Sequence, residues 1–370
     1  MFIAAFDFAG RTRYASRLRP DDSACTMIDL FSDTKTRPTA AMRQVMANAE
    51  VGDERANEDP SVNRLVERCA ALLGKPAALF LPSGTMCNEI ALAAHCRPGD
   101  EVICDATSHI ISAEGGGPAA LAGVMLNPIT SARGVFSAGQ LREKIHPDVA
   151  SAPRQRLVEV EQTVNFGGGT VWPLAALREI ADIAHAAGLV THLDGARLFN
   201  ACIASGVAAA DYAERFDSVW IDFSKGLGAP GGAVLAGPRD FIHEATRLKL
   251  RWGGAMRQSG IIAAACDYAL DHHVARLADD HANAQRLAAG IAAIEGLRID
   301  CATVETNLVY FDVVAAAWEP QTLCAALLAR GVRMSPMGGP RSIRAVTHLD
   351  VSAADIETVL GILRETLRRD

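Results

Sequence analysis

Lys225 stands just past an apolar run, Val219 to Phe223, and is followed at once by glycines in SKGLGAPGG. Buried strands of this kind end where α/β folds bind their ligands. A primary amine there can hold a carbonyl cofactor as an imine. Asp194 ends a second such strand, in LVTHLDGARL, and in a parallel sheet the two side chains lie at one edge. An aldehyde cofactor with a protonated pyridine ring needs this pair. The lysine makes the imine, and the carboxylate pairs with the ring N–H and keeps the ring an electron sink. His109, at the end of the strand EVICDAT, is the candidate to hold one ring face. The turn Ser83-Gly84-Thr85 opens a helix, whose free N–H groups bind phosphate. An arginine would take a substrate carboxylate through its planar fork. Taken singly, each residue has a plainer reading as a solvated lysine, a structural histidine or a helix cap. The four in one arrangement carry the argument.

The elements that must position them alternate. AALFL, EVICDAT, LVEVEQT, LVTHLDGARL, the run before Lys225 and AVLAG read as strands, separated by helical patterns. Such alternation predicts an α/β fold with a mostly parallel sheet covered on both faces. Asp59-Pro60 reads as a helix start and Gly74 as its stop. From about Asp271 the texture turns alanine- and leucine-rich, which predicts a second, smaller α/β lobe. The expected division is an N-terminal extension over 1–26, read as a disordered arm, a large domain over 27–272 and a small C-terminal domain over 273–370.

Composition narrows the classes. The chain has 370 residues, 49% hydrophobic and 21% charged, with a formal charge of −7. That balance is globular and offers no basic face for nucleic acid. No apolar run reaches the roughly 18–20 residues of a membrane span. Nine cysteines, with no C-x-x-C pair, fit neither a disulfide framework nor a zinc module. Cys69, Cys87, Cys202 and Cys324 read as small core residues, and a reducing, cytoplasmic setting is expected. Gly226 to Gly231 fits G-x-G-x-x-G but precedes a strand, so it is no dinucleotide fingerprint. Asp271-His272-His273 reads as solvated, and no metal site is expected.

The segments DLFSDTKTRP, VGDERANEDPSVNRL, FLPSGTMCNEIAL, SHIISAEGG, THLDGARLFNA, SKGLGAPGG, GGAMRQSGIIAAA, ETNLVYF and IRAVTHLD resemble those of the low-specificity L-threonine aldolases, from about Asp29 onward. The resemblance implies fold type I of the pyridoxal-phosphate enzymes, with a mostly parallel seven-stranded sheet, and a homo-oligomer, usually a dimer of dimers. It implies pyridoxal 5'-phosphate on Lys225, paired with Asp194, stacked on His109 and held at its phosphate by Gly84 and Thr85. Arg197 would sit by the ring's 3-oxygen and near the substrate, and Arg257 would reach a phosphate across a subunit interface. Ser32 and Arg344 would bind the substrate carboxylate. The implied reaction is retro-aldol cleavage of a β-hydroxy-α-amino acid to glycine and an aldehyde. β-Elimination, racemisation or transaldol exchange on the same cofactor stays open. Three positions depart from the family: Ala56 and Ala113 stand where aromatics are common, and Val164 replaces a histidine. They lead us to expect a roomier, more apolar substrate pocket.

Overall fold

The computed structural model describes residues 27–368, so the expected extension lies outside them. After β1 (Ile28–Asp29), one sheet takes β2 (Ala77–Leu81), β3 (Glu101–Asp105), β4 (Met125–Ile129), β5 (Gln155–Glu161), β6 (Val190–Gly195), β7 (Ser218–Asp222) and β8 (Ala233–Gly237). It has seven strands in the order β2-β8-β7-β6-β5-β3-β4. β8 runs antiparallel to both β2 and β7, and the other pairs are parallel. β3, β7 and β8 are buried along their whole length, as strands covered on both faces must be. The sequence pattern does not predict β4. It is an edge strand carrying Asn127 and Pro128, and proline is tolerated there because the edge needs no N–H donor.

Because β2, β3, β5, β6 and β7 run in one direction, their C-terminal ends share an edge of the sheet. The helices include α1 (Ala40–Ala47), α2 (Pro60–Leu72), α3 (Gly84–His95) and the short α4 (His109–Ser112), the last two starting at that edge after β2 and β3. Their starts follow local chemistry. Thr39 caps α1, and Asp59 caps α2 ahead of Pro60 by accepting from the N–H groups of Ser61 and Val62. Gly74, at φ +63°, ends α2 in the left-handed region.

The second lobe is built on an antiparallel sheet in the order β12-β10-β9, from β9 (Leu297–Arg298), β10 (Leu308–Val313) and β12 (Ser342–Val346). β11 (Val332–Arg333) pairs in parallel with β1, so the first described residues belong to this lobe's packing. Leu30 is fully buried in its core, beside Val309, Phe311 and Val332. Its replacement by alanine should cost about 2–5 kcal/mol. The helix Leu277–Ala292 joins the lobes, with Leu277 in the large core and Leu287 and Ile291 in the small one.

Cys69, Cys87 and Cys324 are buried and Cys202 is half-buried, and burial pushes all four thiols upward, as core residues require. His273 corrects the solvated reading. It is 5% exposed, and its Nδ1 lies 2.6 Å from the Leu227 carbonyl oxygen, tying that helix to the loop after Lys225. No described helix is long and apolar enough to cross a membrane.

Candidate active site

The shared edge of the sheet opens into a cavity of about 440 Å³. Ser32, Gly84, Thr85, His109, Asp194, Arg197, Lys225 and Arg344 all line it. Pairing register explains the centre. Glu161 at the end of β5 stands beside Asp194 near the end of β6, and Asp194 stands beside Trp220 in the middle of β7. Lys225 follows three residues past the end of β7, with its Nζ against Asp222 Oδ2 and 5.5 Å above the Trp220 ring centroid. Thr36 Oγ1 donates to the Lys225 carbonyl oxygen at 2.8 Å, which fixes the turn.

Asp194 is 1% exposed. It accepts from Asn88 Nδ2 at 2.8 Å and from the Ala196 N–H at 2.9 Å. Burial pushes its carboxyl up, and the opposing pull of His109 and of these two bonds offsets that only in part. A buried carboxylate so placed is stabilised by a cation at its free lone pairs. His109 Nδ1 lies 2.7 Å from Glu114 Oε1. Burial disfavours the charged imidazole, but the Glu114 bond and the charges of Asp194 and Glu161 outweigh it and raise its pKa. Burial and Asp194 push the Glu161 carboxyl up to about 7, although it accepts from the N–H groups of Asn165 and His109. Burial, and the nearby Glu114 carboxyl, push the Glu89 carboxyl up to about 8.

At the opposite wall, Ser83 accepts from the Met86 N–H and starts α3. Gly84 and Thr85 then present the first turn of a twelve-residue helix to the cavity. A Cβ on Gly84 would stand 2.2 Å from the Trp220 ring, so only glycine allows this approach. From the small lobe, Arg344 bonds Asn165 Oδ1 at 3.3 Å and the Phe31 carbonyl oxygen at 3.1 Å, while its buried Nε has no protein partner among the described residues.

This donor set fits pyridoxal phosphate. The amine suits its aldehyde carbon, Asp194 its protonated ring nitrogen, and the helix start with the Thr85 hydroxyl its phosphate. The orphaned Arg344 Nε suits a substrate carboxylate.

Arg257 is not brought to this cavity. Its exposed guanidinium pairs with Asp53 at 2.9 Å. Ala56 is exposed on the neighbouring turn. Ala113 lines the cavity, as expected of a pocket position. Val164 does not: it is 1% exposed and packs in the core beside Gly134, Gly167, Phe136 and Trp172. Val164 therefore contributes nothing to the lining of this cavity. Sequence reading missed Asn88, Glu114, Glu161, Asp222 and Asp33. Asn88 and Glu89 had a signal, as adjacent polar residues inside the otherwise apolar helix TMCNEIALAAH.

The family model described as beta-eliminating lyase matches residues 29–314. The chain is 40% identical to the low specificity L-threonine aldolase of Escherichia coli strain K12, over 93% of this chain and 100% of that protein. It is also 40% identical to a probable low-specificity L-threonine aldolase 2 of Arabidopsis thaliana, over 90% of this chain and 95% of the other. The fold overlays that of Leishmania major threonine aldolase with a TM-score of 0.79 at 21% identity, covering 92% of this chain and 99% of that one. The chain belongs to the beta-eliminating lyase family, among its low-specificity L-threonine aldolases.

Proposed function

We infer that the protein is a pyridoxal-phosphate-dependent carbon–carbon lyase that cleaves an L-β-hydroxy-α-amino acid, such as threonine or allo-threonine, to glycine and an aldehyde. The observation that carries this is the convergence of Lys225, Asp194, His109, the α3 start and Arg344 on one cavity. When bound, the cofactor supplies the sink for the electron pair left as the Cα–Cβ bond breaks.

The chain's own residues do the rest. Lys225 Nζ is the amine that holds the cofactor, and Asp222 keeps it on the cavity floor. Asp194 pairs with the ring nitrogen, His109 covers one ring face, and Gly84 and Thr85 take the phosphate. Arg344, with Ser32 beside it, grips the substrate carboxylate and so orients the bond to be broken. With Nδ1 anchored on Glu114, His109 keeps Nε2 as its basic nitrogen, and Nε2 takes the β-hydroxyl proton directly or through one water. Arg197 holds the cavity wall near the ring's 3-oxygen through its remaining Nη1.

Arg257 serves a neighbouring subunit's phosphate in a homo-oligomer, a dimer of dimers, working in the cytoplasm. Its exposed position, away from its own cavity, supports that reading. A second reaction, β-elimination or exchange with a bulkier aldehyde, draws support from the family description and from small Ala113 at the cavity rim. A panel of β-hydroxy amino acids with product identification separates the two. Equimolar glycine and aldehyde are expected; a keto acid with ammonia, and no glycine from any substrate, would sink the aldolase reading.

A further inference from the structure

A buried polar chain runs beneath the cavity. It starts at His95, the last residue of α3, whose Nε2 lies 2.9 Å from Ser218 Oγ. Ser218 Oγ lies 2.8 Å from His192 Nδ1. His192 Nε2 is 3.2 Å from Asn88 Oδ1, which also accepts from Trp220 Nε1 at 2.7 Å. Asn88 Nδ2 then donates at 2.8 Å to Asp194 Oδ2 and at 2.7 Å to Glu114 Oε1. Asn88 and His192 are both fully buried.

The donor inventory gives this chain one direction. An indole N–H can only donate, so the Asn88 atom facing Trp220 is its carbonyl oxygen. Both amide protons of Asn88 therefore face the two carboxylates. Asn88 Oδ1 accepts from His192 only if Nε2 carries the proton. Burial holds that imidazole neutral, with its pKa pushed down to about 3, so Nδ1 is bare. The Ser218 hydroxyl must then donate to Nδ1 and accept from His95 Nε2. Every proton in the series points toward Asp194 and Glu114.

Aligned hydrogen bonds in a low-dielectric interior reinforce one another and favour negative charge at their accepting end. Asp194 needs that help. The Glu114, Glu159 and Glu161 carboxyls and the Cys87 thiol crowd it, so any charge they take pushes its own carboxyl up, and the His109 imidazole pulls the other way when protonated. We propose that Asn88 is a positioning residue whose single carboxamide, oriented by Trp220 and His192, holds Asp194 ionised under the ring nitrogen and, through Glu114 Oε1, fixes the His109 ring. The proposal rests on the reading that Asp194 pairs with the cofactor's ring. It makes one side chain responsible for the partner of the ring edge and the partner of the ring face together.

Two measurements test it. Neutron diffraction from crystals of the wild-type protein as purified should show deuterium on His192 Nε2 and none on Nδ1. The opposite tautomer would overturn the chain's direction. Second, the dissociation constant of pyridoxal phosphate is followed against pH for the wild type and Asn88→Leu. Losing the two donors lets Asp194 take a proton at higher pH. The acid-side loss of affinity should then move up by a pH unit or more, with at least tenfold weaker binding at pH 6 and at most threefold at pH 9. Equal weakening at every pH, as a packing defect alone gives, or an unmoved profile would overturn the proposal. If Asn88→Leu does not fold, Asn88→Asp keeps the shape, adds a carboxyl, and should move the profile the same way. Wild-type protein that fails to bind the cofactor at all would contradict the cofactor reading instead, while the tautomer, read from protein atoms, still decides the direction.

Discussion

Arg197 grips Asp33 through two parallel bonds of 2.7 Å, Nε to Oδ2 and Nη2 to Oδ1, with both side chains almost fully buried. Asn307 Nδ2 adds a third bond to Asp33 Oδ2 at 3.1 Å. Asp33 sits just after β1, and Arg197 just after β6, so this pair pins the first described segment onto the sheet edge and sets Ser32 at the cavity. Most of the Arg197 fork is thus committed to structure, which a role at the ring alone did not anticipate.

Breaking one side of such a pair strands a buried charge. Asp33→Asn should therefore cost about 3–5 kcal/mol in urea unfolding. Burial pushes the Asp33 carboxyl up, but Arg197 outweighs it and holds the group well below the usual carboxylate range. The pair's contribution is then present above the unfolded-state pKa and is lost only as pH falls through the depressed folded value. A wild-type stability curve that already drops between pH 6 and pH 5, with the drop removed in Asp33→Asn, would contradict this.

His109 sets the acid limb of activity. Its pKa is raised, so the neutral base is lost on the acid side at a pH above the usual imidazole value of about 6.5. Glu114→Gln removes the negative charge behind Nδ1 and leaves only a weaker, neutral acceptor there. The acid limb of kcat/KM should move to lower pH, with a lower plateau because the ring is less well held. An acid limb unchanged by Glu114→Gln would separate His109 from the rate.

What could be read in the sequence was whatever one strand end or one turn states by itself. Lys225, Asp194, His109 and Gly84-Thr85 each close a strand or open a helix, and a parallel sheet brings such positions to one edge. The partners of those residues come from elsewhere in the fold. Asn88 meets Asp194 from 106 positions away, and Asp33 meets Arg197 from 164, distances over which no periodicity speaks. The burial of Val164 away from the cavity is not legible, because likeness to a family segment gives a residue's place in the chain and not the side of the strand end it faces. β4 escaped because an edge strand with Asn127 and Pro128 lacks the apolar pattern of a central one.

The close approach of α3 to Trp220 makes Gly84 sensitive. In Gly84→Ala, the Cβ would meet a ring atom at 2.2 Å, and an indole packed in the core cannot swing aside. We expect a loss of about 1–3 kcal/mol in stability and at least tenfold weaker cofactor binding by equilibrium dialysis. Wild-type affinity in that variant would remove Gly84 from the phosphate site.

Arg344 offers a fork where lysine offers a point charge. Arg344→Lys should forfeit about 1.5–3 kcal/mol of a charge-assisted bond, or roughly ten- to hundredfold in KM. Cofactor affinity should stay near wild type, since Arg344 is placed on the substrate side. Weakened cofactor binding with KM unchanged would reverse that assignment.

The central claim is that Lys225 is the residue holding the cofactor. Borohydride reduction of the protein with pyridoxal phosphate, followed by digestion and mass spectrometry, tests it directly. The reduced cofactor should be found on the peptide containing Lys225, and Lys225→Ala should lose the visible absorption band and the label together. A label on a different lysine, or a band that survives in Lys225→Ala, would contradict the account.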